Sequence, residues 1–246
     1  MEETDAMRDQ TSKKPSALRE DEVRKAASPD LVSWIKDRGE SVVTETGACL
    51  VIAEIMLYAD GGACVSVPVC CSPLAQTNKT DGKLDKTVSI NALLDPLCAP
   101  YPSSASVDSP HPLDLPHTSR LYKTLLQGGH FNHATQKIDY VPTWDAVRFA
   151  IAFVNRIDRD VIVSTCTEGL RGGAFVVAEL CSALCSGAKM RGEGSEVQVV
   201  DEELEDARDQ ARKVVKGWFT EDVLELIRRP EEMKGRKVLL EALAKL

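Results

Sequence analysis

A chain of 246 residues, 43% of them hydrophobic, can bury a sizeable core, which excludes wholesale disorder. A net charge of −8 excludes a surface that grips nucleic acid everywhere and leaves room only for a local basic stripe. No apolar run approaches the ~20 residues of a membrane span, so no membrane partner is expected.

Residues 1–20 mix charges with Ser, Thr and a Lys-Lys-Pro run and lack apolar periodicity, so they are expected to form a disordered tail or linker. Order is expected from near Arg19, and 21–246 reads as one helical repeat domain with loop insertions at about 99–116 and 187–200. Val23, Ala26 and Ala27 predict a short helix that stops before Pro29. Ser28 then caps a second one, with Leu31, Trp34 and Ile35 inward and Gly39 at its end. Gly47 to Tyr58 predicts a strongly apolar helix.

The run Ala63 to Cys71 is β-branched, but Pro68 argues against a central strand. A loop is expected over 76–87 and a short helix over Val88 to Leu97. The Pro- and Ser-rich stretch from Ala99 to Pro116 reads as an exposed insertion. From His117, the residues Leu121, Tyr122, Leu125 and Leu126 fall at helical spacing. His117, Thr118 and Ser119 offer capping atoms at the start, and Gly128-Gly129 supplies the stop.

Gly129 to Pro142 is expected to be a loop. Thr143 to Arg156 predicts an amphipathic helix aligned on Trp144, Val147, Ile151 and Val154. A second apolar helix follows over Ala174 to Cys185, after Gly172-Gly173. Gly187 to Val200 reads as a loop; Asp201 to Trp218 and Asp222 to Arg228 as charged helices; and Met233 to Leu246 closes the chain.

Four segments align, beginning at Gly47, Thr118, Gly173 and Gly235, each leading into an apolar helix preceded by shorter helical pieces. Units that cannot bury their own faces predict an all-α stack, an α-solenoid of degenerate repeats. The segments SPDLVSWIKDRGESVVTETGACLVIAEIML, HTSRLYKTLLQGGHFN and GRKVLLEALAKL resemble the C-terminal half of the Puf-A family, whose C-terminal part is called the CPL region. These are divergent Pumilio-like proteins, and QGGHFN is the most specific piece of the resemblance, which runs over most of 11–246. The resemblance implies a Pumilio-like helical stack in a protein of the nucleus and nucleolus. It also implies RNA or DNA binding with little sequence preference, work in large ribosomal subunit assembly, and translational repression in fungi. No counterpart of that family's N-terminal repeats is seen, so the chain reads as a fragment or truncated relative. The family is basic as a whole and this piece is acidic.

Sequence-reading repeats of this kind present paired side chains to a base edge. The corresponding positions here are Ala48, Cys49 and Ile52; Ser119, Arg120 and Lys123; Ala174, Phe175 and Ala178; and Arg236, Lys237 and Leu240. No unit has the paired amide or carboxylate a base edge requires, so no base code is expected. The stretch 117–150 holds four bases against two acids. Arg120, Lys123 and Lys137, with Arg236 and Lys237, are the candidate phosphate contacts, since phosphate needs only positive charge and reach. The bland alternative is a solvated helix face.

No catalytic constellation emerges, and neither a metal nor another cofactor is called for. Cys166 to Arg171 has one residue too few between thiol and arginine for the phosphatase loop, and GLRGG lacks the strand and Lys-Ser/Thr of a phosphate cradle. His130 and His133 lack a third ligand. Cys181 and Cys185 have no second pair and read as core thiols, and Cys70-Cys71 reads as an inert buried pair, with a redox-sensitive pair as the alternative. Eight cysteines without an opening signal peptide fit a reducing, non-secreted compartment. The expected function is a non-enzymatic RNA-binding scaffold acting in large-subunit biogenesis. Its expected partners are pre-ribosomal RNA, ribosomal proteins and assembly factors, with no small-molecule substrate. The alternative is a scaffold that docks basic proteins through its acidic surface without touching RNA.

Overall fold

The computed structural model describes residues 14–60, 86–102, 110–168, 172–185, 202–229 and 235–246. The expectations for 63–71 and 187–200, and nearly all of the 76–87 loop, lie outside these residues.

Helix α1 (Ser16–Val42) runs unbroken through Pro29, where two helices were expected. Proline removes one backbone donor. Beside it, Ser28 Oγ donates to the Arg24 carbonyl (2.7 Å) and accepts the Asp60 N–H (2.9 Å), so this turn of the helix is tied to the end of the next one. The helix also begins inside the stretch expected to be a tail, with Lys14 Nζ 2.8 Å from Glu22. Gly39 does not end it. It is buried, and a Cβ there would stand 3.2 Å from Ala92, so the glycine serves a close helix crossing.

Helix α2 (Thr46–Tyr58) follows after a short turn. Helix α3 (Thr87–Leu94) passes into a 3-10 turn, Asp95–Cys98. The stretch expected to be an exposed insertion is folded back on the body at its far end. Pro112–Asp114 is a second 3-10 turn, with His111 and Leu113 buried, and Tyr101 donates to Asp114 Oδ2 at 2.6 Å.

Helix α4 (Pro116–Gln127) has Pro116 in its first turn, where a missing N–H costs nothing. The hydroxyls expected to cap it reach elsewhere. Thr118 Oγ1 donates to the Val43 carbonyl (2.9 Å) and Ser119 Oγ to the Leu113 carbonyl. Gly128, at φ 72°, ends the helix in the left-handed conformation.

The expected loop after it is a β-hairpin of β1 (Gly129–Asn132) and β2 (Lys137–Tyr140), antiparallel with Phe131 opposite Ile138. Asp145 caps α5 (Ala146–Arg156) by accepting the N–H groups of Val147 and Arg148, both at 3.0 Å. Then come α6 (Arg159–Thr167), α7 (Gly173–Cys185), α8 (Glu202–Trp218), α9 (Glu221–Arg228) and α10 (Arg236–Leu243).

The described chain is mostly helical, and its one sheet among the described residues is the hairpin. Contacts arrange the helices in two rows. One runs α1–α3–α5–α8, the other α2–α4–α7–α10, each helix touching the next. The second row is parallel: His117 meets Thr46, a Cβ on Gly172 would meet Ser119, and one on Gly235 would meet Phe175. At the opposite end Cys185 reaches the Lys245 carbonyl. Between the rows lie fully buried Ile35, Ile52, Leu93, Tyr122, Phe149 and Phe153, and the Tyr122 hydroxyl donates across to the Leu93 carbonyl.

Candidate nucleic-acid interface

The outer face of the α2–α4–α7–α10 row is decided by which side chains the core leaves over. On α2 these are Leu50, Val51, Glu54 and Tyr58; on α4, Arg120 with half-buried Lys123 and Thr124; on α7, half-buried Phe175 and Glu179; on α10, Lys237 and Val238. Several positions considered as base readers are core instead. Cys49, Ile52, Ser119, Ala174 and Ala178 are buried. Buried side chains there present nothing outward to a base edge. The outward register on α2 is 50, 54 and 58, a spacing visible in the sequence once the buried side is known.

Arg120 is exposed and forms no hydrogen bond or ion pair among the described residues. Lys123 differs. Its Nζ stands 5.9 Å from the Phe175 ring centre and 3.9 Å from Glu179 Oε1, and Gln127 Nε2 donates to that same carboxylate oxygen at 2.7 Å. Half of the expected positive pair is thus offset by a glutamate that pattern reading did not weigh. Phe175 also bridges to α10. Gly235, at φ +84°, would set a Cβ 3.1 Å from that ring, so glycine is required there.

Arg236 donates from Nη1 to the Arg228 carbonyl (2.9 Å), tying α10 to the end of α9, while Lys237 is exposed. Lys137 stands apart. It lies on β2 opposite Asn132, on a hairpin that leaves the C-terminal end of α4, whereas Arg120 is near that helix's start. The structure therefore groups Arg120 and Lys123, links them through Phe175 to the start of α10, and leaves Lys137 off the line.

Between α2 and α4 a cleft of about 140 Å³ opens, floored by Cys49, Ala53 and Leu121 and rimmed by Glu54, His117 and Arg120. His130 closes one side, with Nε2 3.0 Å from Glu54 Oε1 and its ring stacked 6.4 Å from that of Tyr58. His133 is exposed beyond it. No group of three or more His, Cys, Asp or Glu among the described residues could hold a metal ion. Burial pushes the thiols of Cys49, Cys166 and Cys181 up, Cys181 to about 12, which holds them protonated. Arg171, Cys70 and Cys71 lie outside the described residues. No described helix is long and apolar enough to cross a membrane.

The model of the CPL (NUC119) domain family matches residues 1–136. The chain belongs to that family. No curated protein and no solved structure matches it. The CPL match takes in α1 to α4 and the first strand, and so includes Arg120 and Lys123; Lys137, Arg236 and Lys237 lie beyond it. The CPL segment thus contributes the cleft and the start of both rows.

Proposed function

We propose that this CPL-family chain is a non-enzymatic RNA-binding scaffold of the Puf-A kind. In this reading the two rows are stacked Pumilio-like repeats, forming a solenoid that docks on pre-ribosomal RNA and its proteins during large-subunit assembly in the nucleolus. Translational repression of messenger RNA would use the same face. The observation that carries the reading is the row of parallel helices with Arg120, unpartnered among the described residues, beside Lys123 on its outer face, where the described side chains form no base-reading pair. Such a face can hold phosphates without regard to sequence.

The test is a titration of structured and unstructured RNA across a salt series, comparing the chain with its Arg120→Glu/Lys123→Glu variant. Two lost phosphate contacts on single strands should lower the log–log salt slope by about 1.4, at ~0.7 per phosphate, and weaken binding at low salt. An unchanged slope refutes phosphate contact by this pair. Glu54 and Glu179, standing on the same face, favour a second reading in which the row docks a basic ribosomal or assembly protein. Firm binding of such a protein without RNA affinity would select it.

A further inference from the structure

The α2–α4 cleft offers more than a cation. Its floor of Cys49, Ala53 and Leu121 is buried, and its wall is Leu50, which is 60% exposed. The volume of about 140 Å³ is close to the ~150 Å³ in which a dry apolar cavity holds one benzene-sized group. Beside it Val51 is also exposed, so the apolar surface continues along α2.

The rim carries two charges of opposite sign, Glu54 and Arg120, and their surroundings differ. Glu54 faces His130 at 3.0 Å, and His117 Nε2 is 2.6 Å from the Thr44 carbonyl with Nδ1 3.4 Å from Thr46 Oγ1. The Cys49 thiol is committed to the Val43 carbonyl at 2.9 Å. Among the charged groups lining the cleft, Arg120 has no partner within the described residues. A guanidinium without a partner beside an apolar slot complements a carboxylate next to an apolar side chain.

We infer that this cleft docks one leucine-sized side chain of a partner protein segment, with an adjacent carboxylate of that segment on Arg120. A nucleobase matches it less well. Its edge loses water on entry and needs hydrogen-bond partners, whereas the floor and wall are Cys49, Leu50, Ala53 and Leu121, and His117 already serves the Thr44 carbonyl. The inference does not depend on the RNA reading. The two share Arg120, so peptide and RNA phosphate exclude each other there.

The experiment uses the full chain with carbon-13-labelled alanine and leucine methyls, titrated with N-acetyl-Leu-Asp-amide and N-acetyl-Leu-Lys-amide. The expected result is saturable shifts of the Leu50, Ala53 and Leu121 methyls, with the lysine peptide about two- to fivefold weaker, as for one exposed ion pair. Arg120→Glu should reverse that order. Ala53→Leu, which fills the slot, should abolish the shifts while the circular dichroism spectrum holds; if it fails to fold, the Arg120→Glu reversal decides. The absence of saturable shifts, an order favouring the lysine peptide, or shifts surviving Ala53→Leu overturns the inference. So does a uridine oligonucleotide that moves the cleft methyls where the peptides do not. RNA binding lost in Arg120→Glu/Lys123→Glu but kept in Ala53→Leu bears on the phosphate reading alone.

Discussion

Lys86 is the side chain whose burial the sequence least prepares for. It has no exposed surface; its Nζ donates to the Met56 carbonyl at 2.9 Å and lies 5.7 Å from the Trp144 ring centre. Burial lowers its pKa to about 8, with Asp60 opposing. The unfolded lysine keeps its proton to about 10.4, so between these values the unfolded state binds more protons and stability from this group rises with pH. The stability gap between wild type and Lys86→Met should therefore change between pH 7 and 9.5 by melting temperature, and a constant gap would contradict the assignment. His111 acts at the other end. Its Nδ1 accepts the Leu113 N–H at 3.3 Å, and burial lowers its pKa. The unfolded chain takes up the proton first below about pH 6.5, so this group's contribution is lost on acidification. In His111→Asn, which keeps an acceptor, the loss of stability from pH 7 to 5 should be shallower. Tyr122→Phe strips the Leu93 carbonyl of its donor inside the core and should cost about 1–3 kcal/mol in denaturant unfolding.

At the scale of elements, glycine and proline were read as breaks, and position decided which of them were. Gly128 does end α4, and its φ of 72° requires it. Gly39 and Pro29 do not interrupt α1, because the first is needed for the approach to Ala92 and the second is tied through Ser28 to Asp60. Gly39→Leu should then destabilise by about 1–3 kcal/mol through overpacking, although leucine is the better helix former. The hairpin was hidden for another reason. A four-residue strand gives little alternation, and Gly129 reads as a continued stop. Its actual role is close pairing, since a Cβ there would meet the Asp139 carbonyl oxygen at 2.0 Å. Gly129→Ala should speed amide exchange over 137–140 while the helices keep their protection. Unchanged exchange would argue against a glycine-dependent hairpin.

Across the whole molecule, α7 is the shared neighbour. It touches α4 and α10 in its own row and α5, α6 and α8 besides, whereas the chief contact of α10 is α7. Buried Leu180 and Leu239 therefore sit in unequal surroundings. Leu180→Ala should cost about 2–5 kcal/mol and lower protection throughout. Leu239→Ala should open the α10 end first, as expected where each unit leans mainly on the next. Uniform loss of exchange protection in both variants would show a single cooperative block instead. The charge of −8 is likewise unevenly placed, since Arg120 has no partner among the described residues while Glu179 sits against Lys123.

The sequence by itself determined the helices with strong apolar periodicity, above all α4, α5 and α7, and the alignment of the four segments that became the second row. It did so because a buried helix face repeats every three to four residues whatever it packs against. It also located Arg120 and Lys123 in the one net-basic stretch. Only the tertiary structure decided that Lys123 meets Glu179, that Lys137 stands off the line, and that Cys49 and Ala53 floor a cleft with Arg120 at its rim. Those outcomes join residues far apart in the chain, and the register of one helix against the next is set by side-chain packing between rows, which no local pattern records.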